Sequence, residues 1–404
     1  MLFRSGLLWS VAAPADDKQL LAQVERILKQ TPLIDGHNDT AWAYRLRVDG
    51  HLHELPFNSD LSQLSTPTHT DLGRLKAGML GGQFWSVYVP IGAYPGSPGD
   101  AATVLQQIDF VHRLVEAYPE DLELAFIADD ILRIHKEGRI ASLIGIEGGH
   151  AIENSLATLR GMYRAGARYM TLTHSKGLRW ADSATDEARI GGLSPFGKEV
   201  IREMNRIGMM VDLSHVSPET MHDALDVTSA PVIFSHSSAF ALTAHKRNIP
   251  DDVLLRLRQN GGIAMVTFFY TYVSEATRLG YAALKQQVEN QTTDPEERSR
   301  LLQELRPTIP WPTLSDVADH IDHIRALVGT DHIGIGGDYD GMPPPPVGLE
   351  DVSTYPALFV ELLKRGYSEE DIAKIAGRNM LRVMQRVERV SATEKLSRPA
   401  SDLL

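Results

Sequence analysis

Eight short runs rich in Val, Ile and aromatic residues recur along the chain, separated by longer stretches with helical spacing. This alternation limits the fold more than any other feature. The runs are Leu33–Asp39, Gln83–Val89, Ala141–Gly148, Arg168–His174, Met209–His215, Pro231–His236, Gly262–Phe268 and His332–Asp338. Several are apolar at nearly every position, as strands covered on both faces must be. Between them, Thr103–Tyr118 places Val104, Leu105, Ile108, Val111, Leu114 and Val115 at a 3.6-residue period. Ser368 followed by Glu369-Glu370-Asp371 reads as an N-cap with early acids and opens the last clear helix. Eight strand–helix units favour a closed α/β (β/α)8 TIM barrel over an open doubly wound sheet. Thr271–Pro312 is too long for a plain connection, and Tyr281–Val288 and Glu296–Leu305 have helical spacing. A helical insertion is therefore expected after the seventh strand. Pro343–Pro346 makes a stiff loop beyond the eighth.

The chain has 404 residues, which suits one large barrel with excursions better than two domains. The expected division is a barrel domain over 16–390, an N-terminal extension over 1–15 and a polar tail over 391–404. In the extension, Arg4 precedes the apolar Gly6–Ala13, and Ala13-Pro14-Ala15 offers small residues, a pattern resembling a secretory signal peptide. A periplasmic or secreted location is the expectation, with the cytoplasm as the alternative. No run approaches the roughly 20 apolar residues of a membrane span. The 40 Lys and Arg against 52 Asp and Glu leave a net charge of −12, which argues against nucleic-acid binding. The chain has no cysteine, so disulfides, thiolate metal sites and a Cys nucleophile are excluded.

Position makes the ionisable residues informative. His37, His174, His215 and His236 each stand at the C-terminal end of an expected strand, as do Glu147 and Asp338. In such barrels that end is where active sites lie. His37 and Asp39 are two apart, hence on one face of a strand and able to reach one metal ion. Glu147 follows a buried apolar run between glycines, where an acid needs a cationic partner, either an arginine or a metal. Alone, His174, His215 or His236 would more often be a satisfied core histidine. Two histidines at equivalent positions on successive strands, His215 and His236, favour ligation. Asp338 suits a general base beside such a site, and Asp340 shares its spacing. Arg247 lies in a loop; its fork suits a substrate carboxylate, although a lone arginine is more often a surface residue.

Taken together and in order, these segments resemble the membrane (renal) dipeptidase family of the amidohydrolase superfamily over roughly Leu33 to Arg382. The marks are Asp35-Gly36-His37-Asn38-Asp39, Gly145-Ile146-Glu147-Gly148, Leu172-Thr173-His174-Ser175, Asp212-Leu213-Ser214-His215, Phe234-Ser235-His236-Ser237, Arg247-Asn248-Ile249-Pro250-Asp251-Asp252-Val253 and Gly336-Gly337-Asp338-Tyr339-Asp340-Gly341. The resemblance implies two zinc ions per subunit, one held by His37 and Asp39 and the other by His215 and His236. Glu147 and a hydroxide would bridge them. It further implies that His174 polarises the substrate, Arg247 holds its carboxylate, Asp338 serves as acid/base and Trp42 lies near the substrate. The activity implied is dipeptide hydrolysis with tolerance of a C-terminal D-residue. A related amidohydrolase acting on N-acyl amino acids, lactams or lactones is the alternative, and a non-catalytic peptide-binding barrel is the reading from another class. Animal members carry disulfides and a lipid anchor. This chain shows neither cysteine nor an anchor signal, so it resembles a bacterial relative, and a homodimer without disulfides is expected.

Overall fold

The computed structural model describes residues 16–92 and 100–396, so the signal-like segment 1–15 and the end of the tail lie outside the described residues. Nine parallel strands form one sheet. They are β1 (Leu33–Asn38), β2 (Leu80–Tyr88), β3 (Leu122–Leu124), β4 (Ile140–Glu147), β5 (Ala167–Thr171), β6 (Met210–Asp212), β7 (Ile233–Phe234), β8 (Ile263–Val266) and β9 (Ile333–Ile335). Their order is β2-β1-β9-β8-β7-β6-β5-β4-β3, and a ladder from Gly82–Ala141 to Tyr88–Glu147 joins β2 to β4. That ladder closes the sheet into an eight-stranded barrel, the (β/α)8 architecture that the alternation implies. β3 is additional. It pairs with Ile140–Ser142 along the edge of β4 that β5 takes over from Ile144 onward. Three residues are too few to display a period, which is why the pattern does not reveal it.

Side-chain alternation along β4 builds both layers of core. Ile140, Ile144 and Ile146 pack outward against the helices, whereas Ala141 and Leu143 join Phe84, Tyr169, Ile263 and Met265 in a separate cluster inside the barrel. Full burial of such a side chain contributes about 1.5–3 kcal/mol. The last helix, Asn379–Glu394, adds Met380, Met384 and Val387 to the interior cluster and carries past the domain end expected at 390. Just before it, Gly377 packs on Pro32 at the start of β1, so this helix closes the N-terminal end of the barrel. The other end stays open.

The expected insertion is helical. Glu275–Gln291 and Pro295–Leu305 follow β8, and a short helix Tyr270–Val273 precedes them. The helix expected over Thr103–Tyr118 spans Asp100–Ala117, and Ser368 caps Glu369–Ala373 in a box with Asp371. Several strands end sooner than the apolar runs suggest. β5, β6, β7 and β9 stop at Thr171, Asp212, Phe234 and Ile335, so His174, His215, His236 and Asp338 stand on the turns beyond them. His215 and Asp338 have φ of 71° and 65°, a left-handed conformation that no strand contains. Asp39 likewise caps the helix Thr40–Val48 rather than extending β1.

Candidate active site

Strands that converge in a closed barrel bring their turns to one mouth, and there the ionisable residues meet. The cavity measures about 560 Å³ and is lined by Asp39, Glu147, His174, His215, His236, Arg247 and Asp338. Trp42, Tyr88, Phe269 and Tyr272 form aromatic parts of its wall. Of the seven described non-glycine residues with positive φ, three (His215, Asp338 and Asp340) stand at this mouth, where strain commonly accompanies function.

Glu147 is the hub. Its Oε1 lies 2.9 Å from His215 Nε2, 3.5 Å from both His37 Nε2 and His236 Nε2, and 3.7 Å from His174 Nε2. His37 Nε2 is also 3.3 Å from Asp39 Oδ2, and the Nε2 atoms of His215 and His236 are 2.9 Å apart. The pair His37 and Asp39 therefore meets, although Asp39 gets there from a helix cap and not by strand alternation. At this mouth three groups have ligand atoms within 4.8 Å of one another: His37, Glu147 and His236; Glu147, His174 and His215; His37, Asp39 and Asp338.

The residues fit divalent metal binding. All donors are imidazole nitrogen or carboxylate oxygen, the chemistry that suits zinc and its neighbours. Their spacing is close to the roughly 3.3 Å that separates ligands around tetrahedral zinc. His37 Nε2 and Asp39 Oδ1 are buried without a hydrogen-bond partner, an arrangement that costs free energy unless something binds there.

Electrostatics separates the roles. Burial would push Glu147 up, but His37, His174 and His215 hold it well below the usual carboxylate range. Burial pushes Asp338 well up, reinforced by Asp39 and Glu147 and opposed by His37 and Arg247. Burial, aided by Arg247 and opposed by Glu147, brings His174 down to about 4, leaving a neutral imidazole. The ambiguity between Asp338 and Asp340 resolves in the loops. Asp340 accepts from the His69 backbone N–H at 2.6 Å and from the Thr40 hydroxyl at 3.0 Å, so it is engaged in anchoring the turn. Asp338 faces His37 and Asp39. Gly341 makes this approach feasible, since a Cβ there would fall 2.0 Å from Asp39 Oδ2.

Arg247 is not a surface arginine: it is 2% exposed. Its guanidinium donates to Ser237 Oγ and to the His236 carbonyl, both at 3.2 Å, and lies 5.5 Å from the Tyr272 ring centre. No acidic side chain pairs with it among the described residues, and its Nε has no partner. A buried cation without a counter-ion beside an open cavity is suited to an anionic ligand. Trp42 sits on the helix after β1 with its ring 5.2 Å from Tyr88. Tyr88 and Tyr272 did not stand out in the sequence. Tyr88 ends its strand level with Glu147, a position that could have marked it; Tyr272 lies in the insertion, where no strand end points to it.

A closed barrel whose mouth gathers imidazoles, carboxylates and an unpaired arginine defines a metal-dependent hydrolase. The family model for membrane dipeptidase (peptidase family M19) matches residues 21–398, and the chain belongs to that family. Similar solved structures include the probable dipeptidase PvdM from Pseudomonas aeruginosa, with 23% identity, a TM-score of 0.78, and coverage of 92% of this chain and 99% of that one. The dipeptidase AC, a metallopeptidase of family M19, matches at 24% identity and a TM-score of 0.71 over 89% of this chain and 99% of its own. A metallopeptidase from Rhodobacter sphaeroides, liganded with a phosphinate mimic of L-Ala-D-Ala, matches at 24% identity and a TM-score of 0.68, again over 89% and 99%. No helix among the described residues is long and apolar enough to cross a membrane.

Proposed function

We propose that the chain is a binuclear zinc dipeptidase. The observation that carries this reading is the meeting of His37, Asp39, Glu147, His215 and His236 within a few ångströms, next to an Arg247 that lacks a counter-ion. Those five residues would hold the metals, with Glu147 central among them. Bound there, two zinc ions supply Lewis-acid polarisation of the scissile carbonyl and an activated water. The protein supplies the rest. Arg247 binds the C-terminal carboxylate and thereby fixes how deep the dipeptide sits. His174, neutral and with its Nδ1 free of any partner, donates a hydrogen bond to the carbonyl oxygen as charge develops on it. Asp338 takes the proton from the attacking water and passes it to the leaving amine. Trp42 and Tyr88 wall the substrate off from solvent.

The phosphinate mimic of L-Ala-D-Ala bound by the Rhodobacter sphaeroides relative supports a dipeptide substrate and a D-residue at the C-terminal position. Protein stripped with chelator should lose dipeptide hydrolysis and recover it with zinc, and activity unchanged after complete metal removal would refute the reading. A panel of dipeptides, tripeptides and N-acylated analogues separates dipeptidase from other amidohydrolase action, since only the former needs the free amine. Export through the Met1–Ala15 segment and a disulfide-free homodimer complete the reading; cell fractionation and sedimentation test them.

A further inference from the structure

Beneath the metal ligands lie two buried hydroxyl groups whose hydrogen bonds can run in only a few ways. Tyr169 stands inside the barrel, its ring admitted by Gly145, where a Cβ would fall 2.0 Å from the ring. Its hydroxyl is 3.0 Å from the Gly36 carbonyl and 3.0 Å from His37 Nδ1. A carbonyl can only accept, so the phenol proton goes to Gly36 and the phenol oxygen is left to accept from Nδ1–H. The proton of neutral His37 is then on Nδ1, and the Nε2 lone pair faces Asp39 and Glu147.

An independent chain does the same on the other side of the mouth. Ser235 Oγ lies 2.5 Å from Asp212 Oδ2 and 2.8 Å from His236 Nδ1. Asp212 Oδ1 already accepts the backbone N–H groups of Ser214 at 3.0 Å and Ser235 at 2.9 Å, which marks the carboxylate as an acceptor. With Asp212 ionised, the serine proton goes to its Oδ2, and Ser235 accepts from His236 Nδ1–H. The backbone holds this layer tightly: a Cβ at Gly336 would lie 1.8 Å from the Ser235 carbonyl oxygen. His174, by contrast, has no partner on Nδ1.

We infer that Tyr169 and the Asp212–Ser235 pair are positioning residues that lock His37 and His236 in the Nδ1–H tautomer, presenting both Nε2 lone pairs toward Glu147. The inference rests on the metal-site reading above. Its test uses the zinc-loaded full chain labelled with 15N at histidine. Nitrogen–proton correlation spectra should show protons on Nδ1 of His37 and His236, slowly exchanging and lost one at a time in Y169F and S235A. Zinc affinity, measured by competition with a chromogenic chelator, should fall about 10- to 100-fold in each variant. S235T, which keeps the hydroxyl, should recover affinity, and circular dichroism should match wild type throughout.

A proton on Nε2 of either ring in the zinc-loaded wild type, or variants that bind zinc as tightly as wild type, would overturn the inference. The spectrum of the wild type decides it even if a variant does not fold. A wild type that binds no metal refutes the dipeptidase site itself and this inference with it. A wild type that binds zinc while the variants are unaffected refutes this inference alone.

Discussion

Arg247 and Asp338 show what burial does to a residue's meaning. In the sequence Arg247 has the profile of a surface arginine; in the fold it is buried in the cavity wall, with no acid paired to it among the described residues. Replacing it by Ala should lower kcat/KM for dipeptides roughly 10- to 100-fold, the worth of a charge-assisted hydrogen bond. The loss should vanish for dipeptides amidated at the C-terminus, and steady-state kinetics on the two substrate sets measures this. Asp338→Asn should reduce kcat by about a hundredfold or more while zinc content, read by atomic absorption, stays at the wild-type level. Asp340→Asn should act on the turn instead, lowering the melting temperature more than kcat, because its carboxylate binds His69 and Thr40. Residue identity and strand-end position were legible in the sequence. Which of two acids two residues apart approaches His37 and Asp39 was not, because a left-handed turn at both Asp338 and Asp340 breaks the alternation that spacing arguments assume.

At the scale of elements, the helix Leu314–Val328 carries a buried histidine that no catalytic argument uses. His320 Nδ1 accepts the Ala239 N–H at 3.0 Å, and Nε2 lies 3.2 Å from the Val273 carbonyl, joining the loop after β7 to the start of the insertion. Burial brings it down to about 4, opposed by the bond to Val273. Above pH 6.5 the ring is neutral in both folded and unfolded chains and contributes no pH dependence. Between 6.5 and 4 the unfolded chain takes up a proton that the folded one refuses, so stability falls as pH falls, by about 3 kcal/mol in all. Urea denaturation of zinc-saturated protein from pH 7 to pH 4.5 should show this slope, and His320→Gln should flatten it. Equal slopes in the two proteins would contradict the assignment. The helices over Asp100–Ala117 and after Ser368 were legible from period and cap respectively. β3 was not, since it exists only because β4 offers half an edge before β5 begins.

For the molecule as a whole, the backbone ladder between β2 and β4 closes the barrel. Chelator-stripped protein should therefore keep its far-ultraviolet circular dichroism. It should nonetheless melt at a lower temperature, because ions that bind only the folded state stabilise it by about 1.4 kcal/mol per tenfold excess over Kd. Calorimetry with and without zinc measures the difference; identical melting curves would mean that the site binds no metal.

By itself the sequence determined the barrel, the family and the list of ionisable residues. Apolar period, helix caps and the order of motifs are local properties of a chain, readable without knowing what touches what. Tertiary structure alone decided that Asp39 reaches His37 from a helix cap, that Arg247 is buried, that Asp340 anchors while Asp338 approaches His37 and Asp39, and that Tyr169 and Ser235 stand behind His37 and His236. Each of these is a meeting between segments far apart in the chain, set by barrel closure and by the turns at its mouth. No local pattern encodes such a meeting.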